Sequence, residues 1–239
     1  MRLKVLGSGS AGNCYLLFNK NETLIIECGL PYKTILKGLN FSLNNVVGAL
    51  VTHEHMDHSK AIKDITMNGI DVYASEGTLV RSMPIAHRGK TIKSEEQFKV
   101  GGFTILPFAT QHDAAEPLGF LISHKDIDKL LFATDTYYIQ YKFSGLKHLL
   151  IECNYSKEIL ERNINNGLNP TRAKRLLKSH FSLDHVKEFL KETDLSQCED
   201  ITLIHLSDGN SNAAQFKKEI ERLTGIPTYI ADAGMELEL

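Results

Sequence analysis

The chain has 239 residues, a formal net charge of −2 and 23% charged residues. This length fits one large domain, and the near-neutral charge argues against broad electrostatic attraction to nucleic acid. No apolar run is long enough to cross a bilayer, and the N-terminus lacks the apolar core of a signal peptide. We therefore expect a cytoplasmic protein with no membrane partner, and its four scattered cysteines are expected to be reduced.

Short apolar or alternating segments predict a chain rich in strands. Gly, Asn, Asp or Pro residues separate most of these segments, as expected for strands that end in turns. We predict strands at residues 3–7, 14–18, 23–28, 46–52, 71–74, 103–110, 118–124, 129–134, 148–153, 201–207 and 226–231.

Helices are predicted where apolar residues recur three and four positions apart. Ser182 and Ser211 are the expected N-caps of two of these helices, and Gly225 is expected to end the last one. The mixture of strands and helices favours an α+β sandwich of two sheets flanked by helices, in a single domain over residues 1–239. The predicted helices are residues 31–39, 58–68, 172–179, 183–193 and 212–225.

The segment HEHMDH, residues 53–58, is the strongest chemical signal in the chain. It holds three of the ten histidines and follows an apolar strand. His53 and His55 can point to the same side of an extended backbone, while Asp57 and His58 lie where a helix is expected to begin. Imidazole nitrogen and carboxylate oxygen are ligands of zinc. We therefore predict a metal-binding segment rather than a polar turn capped by Asp57.

Three further segments each place one ligand-type residue at the end of an apolar strand. His112 ends FATQH, Asp135 ends LLFATD, and His205 ends ITLIH. One such residue alone would be interpreted as a cap or a surface group, but three of them favour a shared metal site. Four other histidines have no such support and are interpreted as structural: His87, His124, His148 and His185.

The order of HEHMDH, His112, Asp135 and His205 resembles the metallo-β-lactamase superfamily of binuclear hydrolases. The resemblance covers nearly the whole chain and implies an αββα sandwich with a binuclear metal site at the edge of the two sheets. It also implies two divalent ions, zinc with manganese as the alternative. Carried over position by position, His53, His55 and His112 would bind the first ion, Asp57, His58 and His205 the second, and Asp135 both.

Further segments are similar to the YycJ-type subgroup of this superfamily and, more loosely, to ribonuclease Z. These relatives are phosphodiesterases. The subgroup includes DNA exonucleases, and a related phage-encoded set, the anti-Pycsar phosphodiesterases, cleaves cyclic mononucleotides. The carboxylate bridge that Asp135 implies disfavours a β-lactam-cleaving role. The similar segments are GSGSAGNCY (7–15), QHDAAEPLGF (111–120), ATDT (133–136), LIECNYS (150–156) and HLSDGN (205–210).

The segment KSHFSLDHV (178–186) resembles the Gly-His-x-Ser/Thr element of these phosphodiesterases, whose histidine assists at the scissile phosphate. The resemblance assigns catalytic roles to His180 and to Asp57, which is also a proposed metal ligand. The alternative for His180 is a capping or surface histidine. Two positions depart from the family pattern. Ser179 replaces the usual glycine, and Glu27 replaces an aspartate that normally orients a ligand without binding the metal.

Three residues are candidates for binding substrate. Ser8 and Asn13 lie in the glycine-rich GSGSAGN loop, for which a tight turn between strands is an equal alternative. Arg175 lies in residues 170–180, which carry several cations and no acid. Because cations cluster only there, we predict that the substrate is a 3′,5′-cyclic mononucleotide. Its hydrolysis would degrade a signalling molecule. If the protein is encoded by a phage and acts in the host's cytoplasm, this hydrolysis would evade the host's defence. A DNA exonuclease is the alternative.

The sequence also allows other functions and an oligomeric state. A non-catalytic binder that sequesters nucleotide is the second alternative, and thioester hydrolysis fits the ligands but not the His180 element. Redox relatives require a flavin module, for which we found no signal. The polar residues 81–96 are interpreted as a surface connection, with a mobile loop or an oligomer contact as alternatives. Because relatives are often homodimers, we expect a homodimer.

Overall fold

The computed structural model of the chain describes residues 1–82 and 87–239, which form two compact units. The first unit comprises Met1–Ala109, Ala114–Ile127 and Ala231–Leu239. Its larger sheet contains strands β1 (Arg2–Gly7), β2 (Cys14–Phe18), β3 (Thr23–Ile26), β4 (Val46–Leu50), β5 (Val72–Ala74), β6 (Gly89–Thr91) and β14 (Glu236–Glu238), in the order β14-β1-β2-β3-β4-β5-β6.

The pairing inside this sheet determines where its polar side chains emerge. Strands β14, β1, β2 and β3 are antiparallel neighbours, whereas β3, β4, β5 and β6 are parallel. Parallel strands end at the same edge of a sheet, so Glu27, after β3, and residues 51–58, after β4, leave the sheet side by side.

The rest of the first unit covers this sheet and adds a second ladder. Antiparallel strands β7 (Phe98–Val100), β8 (Phe103–Ala109) and β9 (Leu118–His124) form that ladder. Buried aliphatic side chains such as Ile35, Ile62 and Ile65 pack against the sheet residues Ile25 and Val72. The helices are α1 (Tyr32–Gly38), α2 (Met56–Ser59), α3 (Ile62–Met67) and α4 (Glu76–Ser82).

The second unit comprises Thr110–Asp113 and Asp128–Ile230. Its strands β10 (Asp128–Ala133), β11 (His148–Glu152), β12 (Asp200–Ile204) and β13 (Thr228–Ile230) are parallel and adjacent in that order. Strands β11 and β12 are buried throughout, as expected when both faces of a parallel sheet are covered. The helices are α5 (Lys157–Asn165), α6 (Pro170–Ser179), α7 (Leu183–Glu192) and α8 (Ala213–Thr224).

These elements confirm the predicted fold class, because the described strands belong to two seven-stranded sheets accompanied by helices. Every predicted strand is present, although several end earlier than expected. The prediction missed β6, β7 and β14, which contain charged residues, unlike the equally short strands β5 and β13, and it missed α4 and α5. No helix in the described residues is both long enough and apolar enough to span a membrane.

Two predicted segments differ from the structure. Residues 58–68 form two short helices, α2 and α3, rather than one. Within residues 81–96, which were interpreted as a surface connection, the first two residues end α4 and residues 89–91 form β6. Residues 83–86 of this segment lie outside the described residues.

The helix caps were predicted with one error. Ser182 caps α7 by accepting a hydrogen bond from His185 N, and Gly225 ends α8 with a φ of 74°, both as predicted. The N-cap of α8 is Asn212, whose Oδ1 accepts from Gln215 N at 3.1 Å, and not Ser211. Ser211 Oγ instead donates back to Ser207 O at 2.7 Å. Both residue types are good caps, so their order could not be resolved from composition.

We expect Asn212→Ala to lower the free energy of unfolding by about 1 kcal/mol, because it removes a side chain that satisfies a backbone N–H at the start of α8. The matched variant Ser211→Ala should cost less, since its hydroxyl caps no helix N–H. Urea denaturation of both variants tests this difference. A larger loss of unfolding free energy for Ser211→Ala would indicate that Ser211, and not Asn212, is the N-cap of α8.

Candidate metal centre

Ligand-type side chains of the first unit cluster immediately after β4. His53 Nε2 lies 3.0 Å from His55 Nδ1, and the rings of His53 and His58 are 4.2 Å apart. His58 Nε2 lies 3.5 Å from Asp57 Oδ2. The fold thus brings the three imidazoles and the carboxylate of HEHMDH together, because the chain turns from β4 into α2 within this segment.

Glu27 supports this cluster from the end of the neighbouring strand. Its buried Oε1 lies 3.4 Å from His58 Nδ1, and Thr52 N donates to Oε2 at 3.5 Å. Burial raises the pKa of Glu27, and the facing His58 partly opposes that rise. Its φ of 68° is uncommon for a residue with a side chain and turns the carboxylate towards His58. This contact fits the orienting role that the resemblance implies at this position, and that role stays a prediction.

The GSGSAGN loop is tied to the same segment by Asn13. Asn13 is buried, accepts from Gly9 N at 2.8 Å and donates to Asp57 O at 3.2 Å and to His58 Nε2 at 3.2 Å. Ser8 Oγ lies 2.8 Å from Tyr15 Oη. These contacts favour the tight-turn interpretation of the loop, and the substrate-binding role of Ser8 and Asn13 stays a prediction.

The second unit places Asp135, Glu152 and His205 at the carboxyl ends of its parallel strands and His180 directly after α6. Asp135, Glu152, His180 and His205 each offer a ligand atom within 4.8 Å of the others. His205 Nδ1 donates to Asp135 Oδ1 at 2.9 Å, and His112 Nε2 lies 3.5 Å from Asp135 Oδ2. Asp135 and His205 have φ values of 47° and 53°, a strained conformation that proteins retain mostly at functional sites.

Glu152 is the member of this cluster that the sequence analysis missed. It is fully buried, and its Oε1 accepts from His180 Nδ1 at 2.6 Å and from His205 Nδ1 at 3.1 Å. Its Oε2 accepts from Thr136 N at 3.1 Å and from Phe181 N at 3.2 Å. A signal was present, because a carboxylate at the end of the apolar run HLLIE requires buried partners.

The charges in this cluster follow from its contacts. Burial lowers the pKa of His180, but the Glu152 and Asp135 carboxylates outweigh it, so that the pKa of His180 is raised from its ordinary value. Burial raises the pKa of Glu152, yet its contacts with His180 and His205 leave that pKa lowered. His180 and Glu152 therefore favour an ion pair. Since Nδ1 of His180 donates to the carboxylate, its Nε2 is directed elsewhere.

The contacts and burial of His112 favour the neutral form that a metal ligand needs. Its Nδ1 donates to Ser179 O at 2.8 Å, which leaves the lone pair on Nε2. Burial lowers the pKa of His112, and the Asp135 carboxylate opposes this only in part. A neutral imidazole oriented through its other nitrogen is the form that binds divalent ions.

The donor set of both clusters fits a divalent metal. It consists of imidazole nitrogens and carboxylate oxygens without thiolates, a combination that suits zinc and also manganese or iron. Buried carboxylates and imidazoles at these distances are also costly unless they share protons or cations. The residues therefore fit the ions that the family resemblance implies.

The remaining predicted residues have different surroundings. Arg175 is exposed, and its Nε lies 3.8 Å from Asp113 Oδ2. His124 and His148 are buried structural histidines, as predicted. His124 Nε2 lies 3.1 Å from Glu22 Oε1, and His148 Nδ1 lies 2.6 Å from Asp200 Oδ2.

Two sheets with helices, and His and Asp side chains gathered at strand ends, define a metal-dependent hydrolase. Residues 36–205 match the family described as Beta-lactamase superfamily domain, and the chain belongs to this superfamily. The similarity expected from the motifs is thereby confirmed.

Individual relatives agree with this assignment. The chain is 29% identical to exodeoxyribonuclease YycJ of Bacillus anthracis over 242 residues, which is 94% of this chain and 87% of that protein. It is 30% identical to anti-Pycsar protein Apyc1 of Bacillus phage 010DV004 over 74 residues, 28% of this chain and 29% of that protein. The crystal structure of YhfI from Bacillus subtilis, a metallo-β-lactamase fold protein, superposes with a TM-score of 0.74 at 16% identity, covering 99% of both chains.

Proposed function

We propose that this hydrolase is a phosphodiesterase that cleaves a nucleotide phosphodiester. The observation that carries the proposal is the contact between His180 Nδ1 and Glu152 Oε1, which lie 2.6 Å apart, beside Asp135. A histidine that is held through Nδ1 and partly open to solvent can present Nε2–H to a phosphoryl or leaving oxygen. In the phosphodiesterases that the segment KSHFSLDHV resembles, the corresponding histidine assists at the scissile phosphate.

The proposed cofactors are two divalent ions, zinc or manganese, held within one hydrolase domain over residues 1–239. When bound, such ions supply an activated water at neutral pH and offset the negative charge of a phosphoryl group. The chain's own residues orient the ligands: Glu27 faces His58, and Glu152 faces His205. The proposed ligands are those of the family resemblance, namely His53, His55, Asp57, His58, His112, Asp135 and His205.

Two substrates are supported by different observations. Similarity to an exodeoxyribonuclease over 94% of the chain favours a DNA end. Similarity to an anti-Pycsar protein, over 28% of the chain, and the net charge of −2 favour a cyclic mononucleotide. We place DNA first because of the larger coverage, and the earlier preference for a cyclic mononucleotide stays a prediction. The cytoplasmic location and the homodimer also stay predictions.

The proposal predicts metal-dependent turnover of phosphodiesters. Protein loaded with zinc or manganese should hydrolyse bis(p-nitrophenyl) phosphate, and a chelator should abolish this activity until metal is restored. End-labelled single- and double-stranded DNA and a panel of 3′,5′-cyclic nucleotides should then identify the natural class. We expect DNA to be trimmed from one end.

The variants His55→Ala and Asp57→Ala serve as inactive controls. Conversion of cyclic nucleotides to linear monophosphates, with DNA intact, would make the cyclic mononucleotide the substrate. Tight retention of nucleotide without hydrolysis of any phosphodiester would overturn the enzymatic proposal in favour of a binder.

A further inference from the structure

Helix α6 presents a polar, basic face to solvent. Thr171, Lys174, Arg175 and Lys178 recur three and four residues apart, so their side chains lie on one side of the helix. All four are exposed. The opposite side is anchored, because buried Ala173 packs in a cluster with neighbouring apolar side chains. The basic face is therefore not needed to hold the helix in place.

This face borders a cavity of about 450 Å³ inside the second unit. The other side of the cavity is lined by His112, Asp113 and Tyr137. His112 is also tied to the end of α6, since its Nδ1 donates to Ser179 O at 2.8 Å. The cavity thus begins at a proposed metal ligand and continues along the helix whose last residue precedes His180.

The cavity has more positive charge than its own acids neutralise. Within the described part of the chain, Lys174 and Lys178 have no carboxylate within 4.0 Å. Arg175 reaches Asp113 only at 3.8 Å, with both side chains mostly exposed, and such a pair contributes little. Thr171 and Lys178 are seven residues apart, which corresponds to about 10 Å along the helix axis. The surplus charge is therefore extended and can meet an anion beyond the ligand cluster.

We propose that this cavity binds the nucleotide next to the scissile bond of a single-stranded DNA end, with its phosphate on Lys174 and Lys178 and its base on Tyr137. This rests on the proposed phosphodiesterase function. A cyclic mononucleotide has one phosphate, which the reaction places at the metal ligands, so it would leave these cations without an anion. A polynucleotide supplies a second phosphate, and the partly exposed ring of Tyr137 offers a stacking surface.

The test compares two double variants with the same change in net charge. Lys174→Ala/Lys178→Ala removes cations from the cavity, whereas Lys191→Ala/Lys218→Ala removes exposed cations from α7 and α8, outside its lining. On a single-stranded oligonucleotide, we expect the cavity variant to raise KM about tenfold. It should also reduce the slope of log kcat/KM against log salt concentration by about 1.4, since each phosphate contact contributes about 0.7. The control variant should behave as wild type.

Hydrolysis of bis(p-nitrophenyl) phosphate separates this proposal from the proposed function. That substrate has one phosphate, so both double variants should cleave it at the wild-type rate. If the wild type fails to cleave it, the phosphodiesterase function itself is wrong. If the wild type cleaves it but the cavity and control variants process DNA equally well, only the cavity proposal is overturned. An equal loss on DNA and on a cyclic mononucleotide would also overturn it, because the cations would then serve the scissile phosphate.

The base contact is tested with Tyr137. Tyr137→Ala should raise KM for the oligonucleotide about tenfold, and Tyr137→Phe should restore it, because stacking needs the ring and not the hydroxyl. An oligonucleotide whose penultimate residue is abasic should reduce the difference between wild type and Tyr137→Ala. If the difference in KM between wild type and Tyr137→Ala is unchanged, Tyr137 does not contact the base.

Discussion

Replacing His180 with alanine should lower kcat by about 10²- to 10⁴-fold while the protein keeps its metal ions. The ring is held by Glu152 through Nδ1 and lies 3.7 Å from Asp135 Oδ1, so Nε2 is the atom left to meet substrate. Loss of this group removes a proton or hydrogen bond at the phosphate, whereas the proposed ligands remain. Steady-state kinetics with bis(p-nitrophenyl) phosphate and metal analysis of the same samples measure the two effects separately.

If His180 is itself a metal ligand, its replacement should remove a metal ion. His180 belongs to the group of Asp135, Glu152 and His205, whose ligand-type atoms lie within 4.8 Å of one another, and such a group could itself hold an ion. Loss of one ion together with the side chain would make His180 a ligand and not a proton donor. His185→Ala is the matched control, because that histidine lies five residues further along and outside the cluster.

Much of the site could be predicted from sequence because of where its residues stand relative to strands. His112, Asp135 and His205 each follow an apolar run. Asp135 and His205 follow the parallel strands β10 and β12, whose carboxyl ends lie at one edge, whereas His112 follows the antiparallel strand β8. The class of the fold followed from the same runs. The pattern could not predict the backbone conformation at these positions, because the left-handed φ values of Asp135 and His205 are uncommon for residues other than glycine.

Glu152 shows a second limit of sequence reasoning. It ends a strand as Asp135 and His205 nearly do, yet the segment LIEC was interpreted only as a core strand and a family motif. Its importance depends on four donors that come from three separate segments of the chain. Such a set of partners has no spacing that a single sequence reveals, in contrast to HEHMDH, whose members are neighbours in the chain.

Glu152→Gln should therefore disturb more of the centre than a change of one atom suggests. The carboxylate accepts from two imidazoles at Oε1 and from two backbone N–H groups at Oε2. A glutamine amide has one acceptor oxygen, so its NH2 must face one of these pairs of donors. Facing the backbone leaves buried N–H groups unsatisfied, which costs about 1–3 kcal/mol of stability.

If the amide NH2 of the Glu152→Gln side chain faces the imidazoles, the effect is on catalysis. The amide would then donate to Nδ1 of His180 and His205, which moves their protons to Nε2. His205 could no longer offer the Nε2 lone pair to a metal, and His180 would lose the anion that favours its charged form. We expect kcat to fall by about 10²- to 10³-fold and the affinity for one ion to fall by about 10- to 100-fold, as for other residues that orient ligands.

The measurements that distinguish positioning from simple destabilisation are metal affinity and the tautomers of the two histidines, read by long-range ¹⁵N NMR of the metal-free protein. Glu152→Asp keeps the charge and should restore part of kcat, although its shorter side chain cannot reach all four donors. Glu199→Gln is the control, since that carboxylate is exposed and pairs with Lys147. A Glu152→Gln protein with unchanged metal affinity and unchanged Nδ1–H tautomers, but a lower free energy of unfolding, would restrict Glu152 to a structural role.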